Sequence, residues 1–257
     1  MFICDCHCDT LTELYKKGTS LYANDQHFDI QRQIALGGGL QFCAIFVPTR
    51  EFRYYGGLRY TLQLLDKYLQ EVKKLHVDGI DVLQVLTKED AADVLNHKAA
   101  TLLAIEEGGA IDGSLEALRC LYALGVRAMT LTWSNRNDIA DGVNEEGSGG
   151  GLTVFGRQVV AEMNKLGMLV DVSHIAPAGF WDVIETSSKP IIATHSNAKL
   201  FARIRVTWMT SRFWQSTKMM AHRCYLCRSI FGARLQRCLH RKHLPPYRLY
   251  AEHHGQR

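Results

Sequence analysis

The chain is 257 residues long, 47% hydrophobic and 22% charged, with a formal net charge of +4. These values suit one large α/β domain or two small ones, and they exclude a disordered tail, a collagen or a disulfide-held miniprotein. No apolar run approaches the roughly 18 residues of a membrane span. The N-terminus, MFICDCHCDT, has no basic segment followed by an apolar one, so no signal peptide and a cytoplasmic location are expected.

In chain order, apolar runs predict strands at 2–7, 40–48, 101–107, 126–133, 168–174 and 190–196, with a shorter one at 80–87. Between them lies a helix at 57–76, where Leu58, Leu62, Leu65, Leu69 and Val72 recur at helical spacing, and others at 114–124, 152–166 and 177–187. Gly125 and Gly167 stand where helix C-terminal glycines belong. Near-continuous apolar strands alternating with helices predict a parallel sheet covered on both faces. Six or more such units in line favour a (β/α)8 TIM-type barrel over an open sheet. No G-x-G-x-x-G follows the first strand, which argues against a dinucleotide fold. The longest loop, 134–151, follows a strand directly, where barrel enzymes carry function; its GSGGG at 147–151 is too far from the strand to suit a phosphate loop.

Eight cysteines in a chain read as cytosolic are expected to be reduced and mainly structural; Cys4, Cys6 and Cys8 alternate along one predicted strand. The charge averages two unlike segments. Residues 204–257 hold 11 Lys and Arg against one acidic residue, Glu252, which leaves 19 basic and 25 acidic residues to 1–203.

The predicted strand ends carry the chemistry: His7 and Asp9, Glu106 and Glu107, His174, and His195. Taken singly, a His-x-Asp is commonly a hydrogen-bonded turn and a buried His a satisfied core residue. Four such ends on one face of a barrel point instead to a site for zinc or a similar divalent ion. Five ligands (His7, Asp9, Glu107, His174 and His195) exceed what one catalytic zinc takes while keeping an open position. They suit two ions sharing a carboxylate, which acidify a water and polarise a carbonyl.

The strings DCHCDT, AIEEGG, LTLTWSNRNDIADG, LVDVSH and ATHSNA, in this order, resemble the membrane (renal) dipeptidase family, the M19 zinc peptidases, in its bacterial branch, over residues 1 to about 203. The resemblance implies a (β/α)8 barrel with two zinc ions that cleaves dipeptides, some with a C-terminal D-residue, through a metal-bridged hydroxide. It implies that His7 and Asp9 bind one zinc and that His174 and His195 bind the other. Glu107, which directly precedes Gly-Gly, is taken as the bridge and catalytic carboxylate, with Glu106 as its rival. Trp133 stands where renal-type members have a substrate-contacting His, and it is assigned with Asn135 to substrate binding. A dipeptide is the expected partner; a homodimer is left open, and neither a membrane nor nucleic acid is expected.

After Arg203 the periodicity stops. The family's segment resembling HPRNLTDEQI, which supplies an Arg for the substrate carboxylate, and a later Asp for proton transfer have no recognisable counterpart. Back-translating Ile204–Phe213 with one added nucleotide restores HPRNLDDEQI, with the Arg at the position of Val206. The sequence therefore divides into an incomplete metallo-dipeptidase barrel, 1–203, truncated after about six strands, and a basic tail, 204–257, out of frame or disordered. Impaired activity is expected of the chain as written. Within the tail, Cys224, Cys227, His240 and His243 imitate a zinc finger with too short a His spacing. Two other functions compete: a different barrel metallohydrolase, amidohydrolase or phosphotriesterase-like, and an inactive fragment whose tail binds nucleic acid.

Overall fold

The computed structural model of the chain describes residues 2–48, 51–52, 56–198 and 207–208. In chain order the elements are β1 (Ile3–Cys8), α1 (Thr10–Lys17), α2 (Ile30–Ala35), β2 (Gly39–Phe46), α3 (Gly57–Val77), β3 (Val82–Gln84), α4 (Lys88–Asp93), β4 (Ala99–Glu106), α5 (Leu115–Ala123), β5 (Val126–Thr130), α6 (Val154–Leu166), β6 (Leu169–Asp171), α7 (Pro177–Thr186) and β7 (Ile191–Ile192). The first seven strands form one parallel sheet in the order β1-β2-β4-β5-β6-β7. Strand β3 shares an edge of β4 with β5, covering its first residues (Val82 opposite Ala99) while β5 covers the last (Glu106 opposite Thr130). A separate two-residue parallel pair joins β8 (Asn197–Ala198) to β9 (Thr207–Trp208). The rest of the proposed tail, including Cys224, Cys227, His240 and His243, lies outside the described residues.

Strand β4 organises the sheet. All eight of its residues are buried, because its two faces serve two apolar clusters. Leu103 and Ile105 belong to the layer between sheet and helices, with Leu64 and Tyr68 of α3 and Val159 of α6. Ala100, Leu102 and Ala104 belong to a smaller cluster with Leu40 and Phe42 of β2, Ala128 of β5, Ile192 of β7 and, at its margin, Cys4 of β1. Residues from the first and last strands meet there, so this face is the concave one, and the sheet curls as a barrel does. Each fully buried Leu or Ile contributes about 1.5–3 kcal/mol.

The sequence-predicted strands and helices all occur, with the three strands at 126–133, 168–174 and 190–196 ending three or four residues early. The backbone leaves the sheet there to form the turns that carry Trp133, His174 and His195. The short helices α1, α2 and α4 went unmarked because six to eight residues show too little of a 3.6-residue period. Their legible signals are at the ends: the Gly18 cap after α1, the Asp29 cap before α2 and the capping box of Thr87 with Asp90 before α4. Among the described residues, no helix is long and apolar enough to cross a membrane.

Candidate metal centre

Each centre residue sits at a strand's C-terminal end, and local backbone features aim it inward. In β1 the register passes from Asp5 opposite Gln41 to Cys8 opposite Cys43, one residue too many for regular pairing. This bulge, in which the Asp5 carboxylate accepts the His7 N–H at 3.0 Å, switches faces. Cys4 thus packs toward the concave cluster and Cys8 toward the helix layer, so the alternating cysteines do not share a face as plain strand geometry predicts. His174 follows β6 in a left-handed conformation, φ 65°. Its carbonyl accepts the Val143 N–H at 2.9 Å, which ties the turn to the long loop. A non-glycine residue in that region costs on the order of 1–3 kcal/mol, a strain that clusters at functional sites.

Four side chains converge. Glu106, on the concave parity of Ala104, is almost fully buried. Its Oε2 lies 3.3 Å from His7 Nε2. Its Oε1 lies 3.0 Å from His174 Nε2 and 3.3 Å from His195 Nε2. The two latter nitrogens are 2.8 Å apart, and the rings of His7 and His195 stack with centroids at 3.8 Å. Asp9 Oδ1 lies 3.5 Å from His7 Nε2 on the exposed side. Donor atoms about 2.0–2.1 Å from a tetrahedral ion stand about 3.3 Å apart, close to the spacing seen here. His7, Glu106 and His195 each offer a ligand atom within 4.8 Å of the others. The imidazole and carboxylate donors therefore fit a divalent ion of the zinc type.

Glu107 is turned away from this cluster. One residue beyond Glu106, it takes the opposite parity and a left-handed φ of 89°. Its carboxylate accepts N–H bonds from Gly109 at 2.9 Å and Trp133 at 2.7 Å, and one from the Asn137 side chain. Of the two carboxylates it is therefore Glu106, not Glu107, that faces the three histidines. Burial raises the Glu107 carboxyl above its ordinary range, with the neighbouring Glu106 charge adding to the rise and the three hydrogen bonds opposing it. Asn137 also donates to the Leu131 carbonyl at 2.9 Å, so it clamps the loop to β4, a role unmarked in the sequence. Trp133 flanks the cluster, its ring 6.2 Å from that of His174 and 5.2 Å from that of Phe46. Asn135 is buried, with its Oδ1 accepting from Asn144 at 3.1 Å, so it braces the loop.

At Glu106 and His7 electrostatics oppose burial. Burial alone would raise the Glu106 carboxyl, yet His174, His195 and His7 hold it well below the usual carboxylate range. Burial likewise disfavours a proton on His7, but Asp9 and Glu106 push its pKa up to about 10. The folding stability that this proton adds is fully present below the ordinary 6.5 and is lost as pH rises through about 10. An ion binding at His7 near neutral pH must displace that proton. Zinc uptake at neutral pH is therefore expected to release about one proton here, and affinity to weaken roughly tenfold per unit of acidification. Titration calorimetry in buffers of different ionisation enthalpy reads this directly; an affinity flat from about pH 6 to 8 would contradict it.

Comparisons with known proteins bear on the family and the fold. The chain is 40% identical over 168 residues to Dipeptidase 3 of Mus musculus, covering 63% of this chain and 32% of that protein. It is 30% identical over 184 residues to Dipeptidase tcpJ of Claviceps purpurea (strain 20.1), covering 67% of this chain and 42% of that protein. The chain thus spans between about a third and under half of these relatives. In fold it resembles a metallo peptidase from Rhodobacter sphaeroides, liganded with a phosphinate mimic of the dipeptide L-Ala-D-Ala, with a TM-score of 0.69 at 22% identity over 86% of this chain and 71% of that one. Residues 1–206 match the family described as membrane dipeptidase, ending three residues beyond Arg203, where the sequence pattern changes. The chain belongs to the membrane dipeptidase family, peptidase family M19.

Proposed function

We propose that residues 1–203 build the two-metal centre of a dipeptide-hydrolysing enzyme, with zinc as the metal. The observation that carries this is the division of the Glu106 carboxylate, Oε2 toward His7 and Oε1 toward His174 and His195. His7, Asp9 and Glu106 would hold one ion and Glu106, His174 and His195 the other, so Glu106 would take the role first given to Glu107. When bound, two such ions supply Lewis acidity and lower the pKa of a water.

The chain's own residues supply the surroundings. Glu106, with no proton of its own, contributes negative charge between the ions and donor groups. The Trp133 indole, held by its backbone bond to Glu107, forms a wall beside His174 against which a small substrate packs. Glu107 and Asn137 keep the loop closed over β4 and limit water at the buried side of the centre.

Zinc-loaded full chain is expected to bind a phosphinate mimic of L-Ala-D-Ala and, in a substrate panel, to confine its impaired turnover to dipeptides. Removal of zinc by a chelator should abolish both. Equal binding of the mimic with and without zinc, or turnover of phosphotriesters or cyclic amides with dipeptides untouched, would overturn the proposal.

A further inference from the structure

Behind His195 lies a buried carboxylate outside the ligand set. Asp171, at the end of β6 and on the concave parity of Leu169, is 2% exposed. Among the described residues it accepts five hydrogen bonds. Oδ1 takes the Ser173 N–H at 2.9 Å, the Ser173 hydroxyl at 2.8 Å and the Thr194 N–H at 3.2 Å. Oδ2 takes the hydroxyls of Thr130, at 2.9 Å, and Thr194. The strand ends of β5, β6 and β7 are thereby joined on one anion.

Proton counting gives this arrangement a direction. A hydroxyl has one proton to donate and two lone pairs. Thr194 gives its proton to Asp171, so toward His195 Nδ1, 2.8 Å away, it can only accept. Ser173 likewise gives its proton to Asp171 and accepts the His195 backbone N–H at 3.2 Å. His195 is therefore gripped at backbone and ring by two hydroxyls that Asp171 has oriented. With a proton on Nδ1, Nε2, which faces Glu106 and His174, is the nitrogen left to bind an ion. By contrast, among the described residues His174 Nδ1 has only Ser134 Oγ, at 3.4 Å.

We propose that Asp171 and Thr194 form a positioning relay that fixes His195 as its Nδ1–H tautomer and so presents Nε2 to a divalent ion. The relay rests on the metal-centre assignment above, and neither residue touches substrate. Outer partners of this kind commonly alter metal affinity about 10–100-fold.

The test uses the full chain with 15N-labelled histidine. In the parent, the His195 ring is expected to show a protonated Nδ1 and an unprotonated Nε2. Thr194→Val keeps the side-chain shape and removes only the hydroxyl. It is expected to mix the tautomers and weaken zinc binding about 10–100-fold, with Thr194→Ser restoring both. Asp171→Asn is expected to move both readouts the same way with an added loss of folding stability, so Thr194→Val keeps the test clean should Asp171→Asn fail to fold. A relay with a merely structural role would lower the melting temperature and leave tautomer and affinity unchanged, which overturns the proposal. A parent that binds no zinc overturns the centre itself; a zinc-binding parent with an unaffected Thr194→Val overturns only the relay.

Discussion

Glu106→Gln is expected to strip the centre of metal, while Glu107→Gln leaves it loaded. The Glu106 side chain keeps its shape in the amide but loses the charge that faces His7 on one oxygen and His174 and His195 on the other. Two unit charges 4 Å apart at an effective dielectric of about 20 interact by about 4 kcal/mol. That corresponds to on the order of 1,000-fold in affinity for each ion the carboxylate touches. Elemental analysis of the purified variant should fall from about two zinc ions per chain to near none, and hydrolysis should fall with it. Glu107→Gln replaces one acceptor oxygen by a donor against the Gly109, Trp133 and Asn137 N–H groups. It should cost about 1–3 kcal/mol of stability per group left unpaired while zinc stays bound. The reverse pattern, metal lost from Glu107→Gln and kept in Glu106→Gln, would reverse the assignment.

Gly142→Ala is expected to damage fold and centre together. An added methyl at Gly142 would lie 2.3 Å from the Trp133 carbonyl oxygen, 2.5 Å from the Ser134 carbonyl carbon and 2.7 Å from the Asn135 nitrogen. All three are backbone atoms and cannot rotate aside, so the loop must open. The neighbouring bonds hold the centre's far wall: Val143 N–H to the His174 carbonyl at 2.9 Å and Asn144 N–H to Ser134 at 2.8 Å. Overpacking of this kind costs about 1–3 kcal/mol or more, a melting shift of roughly 2–4 °C per kcal/mol in a domain of this size. Zinc on the His174–His195 side should weaken in parallel. Gly147→Ala in the same loop meets nothing within 4 Å and should melt like the parent. Equal melting temperatures for the two variants would show that the loop does not close as described.

Much of this molecule was legible from its residues, and the failures have physical causes. The long amphipathic helix α3 declares itself because its periodicity runs for 21 residues, and the strands β2 and β4 because each is a near-continuous apolar run of eight residues. His7, His174 and His195 were visible as strand-end histidines. The choice between Glu106 and Glu107 was not, because β4 is apolar on both faces and no alternation marks the concave one. Only the placement of Ala100, Leu102 and Ala104 with residues of β2, β5 and β7 shows which parity points inward. The bulge in β1 was equally hidden, since one unpaired residue leaves no compositional trace. Asp171 read as part of a strand ending in histidine; its role depends on Thr130 and Thr194, which only the parallel register brings to it.

The central claim is that Glu106 stands between two metal ions at the mouth of the curled sheet. Anomalous diffraction at the zinc edge, from crystals of the full zinc-loaded chain, tests it most directly. Two peaks are expected astride the Glu106 carboxylate, one beside His7 and Asp9 and one beside His174 and His195. A single peak, or zinc bound by Glu107 or remote from these histidines, would contradict it.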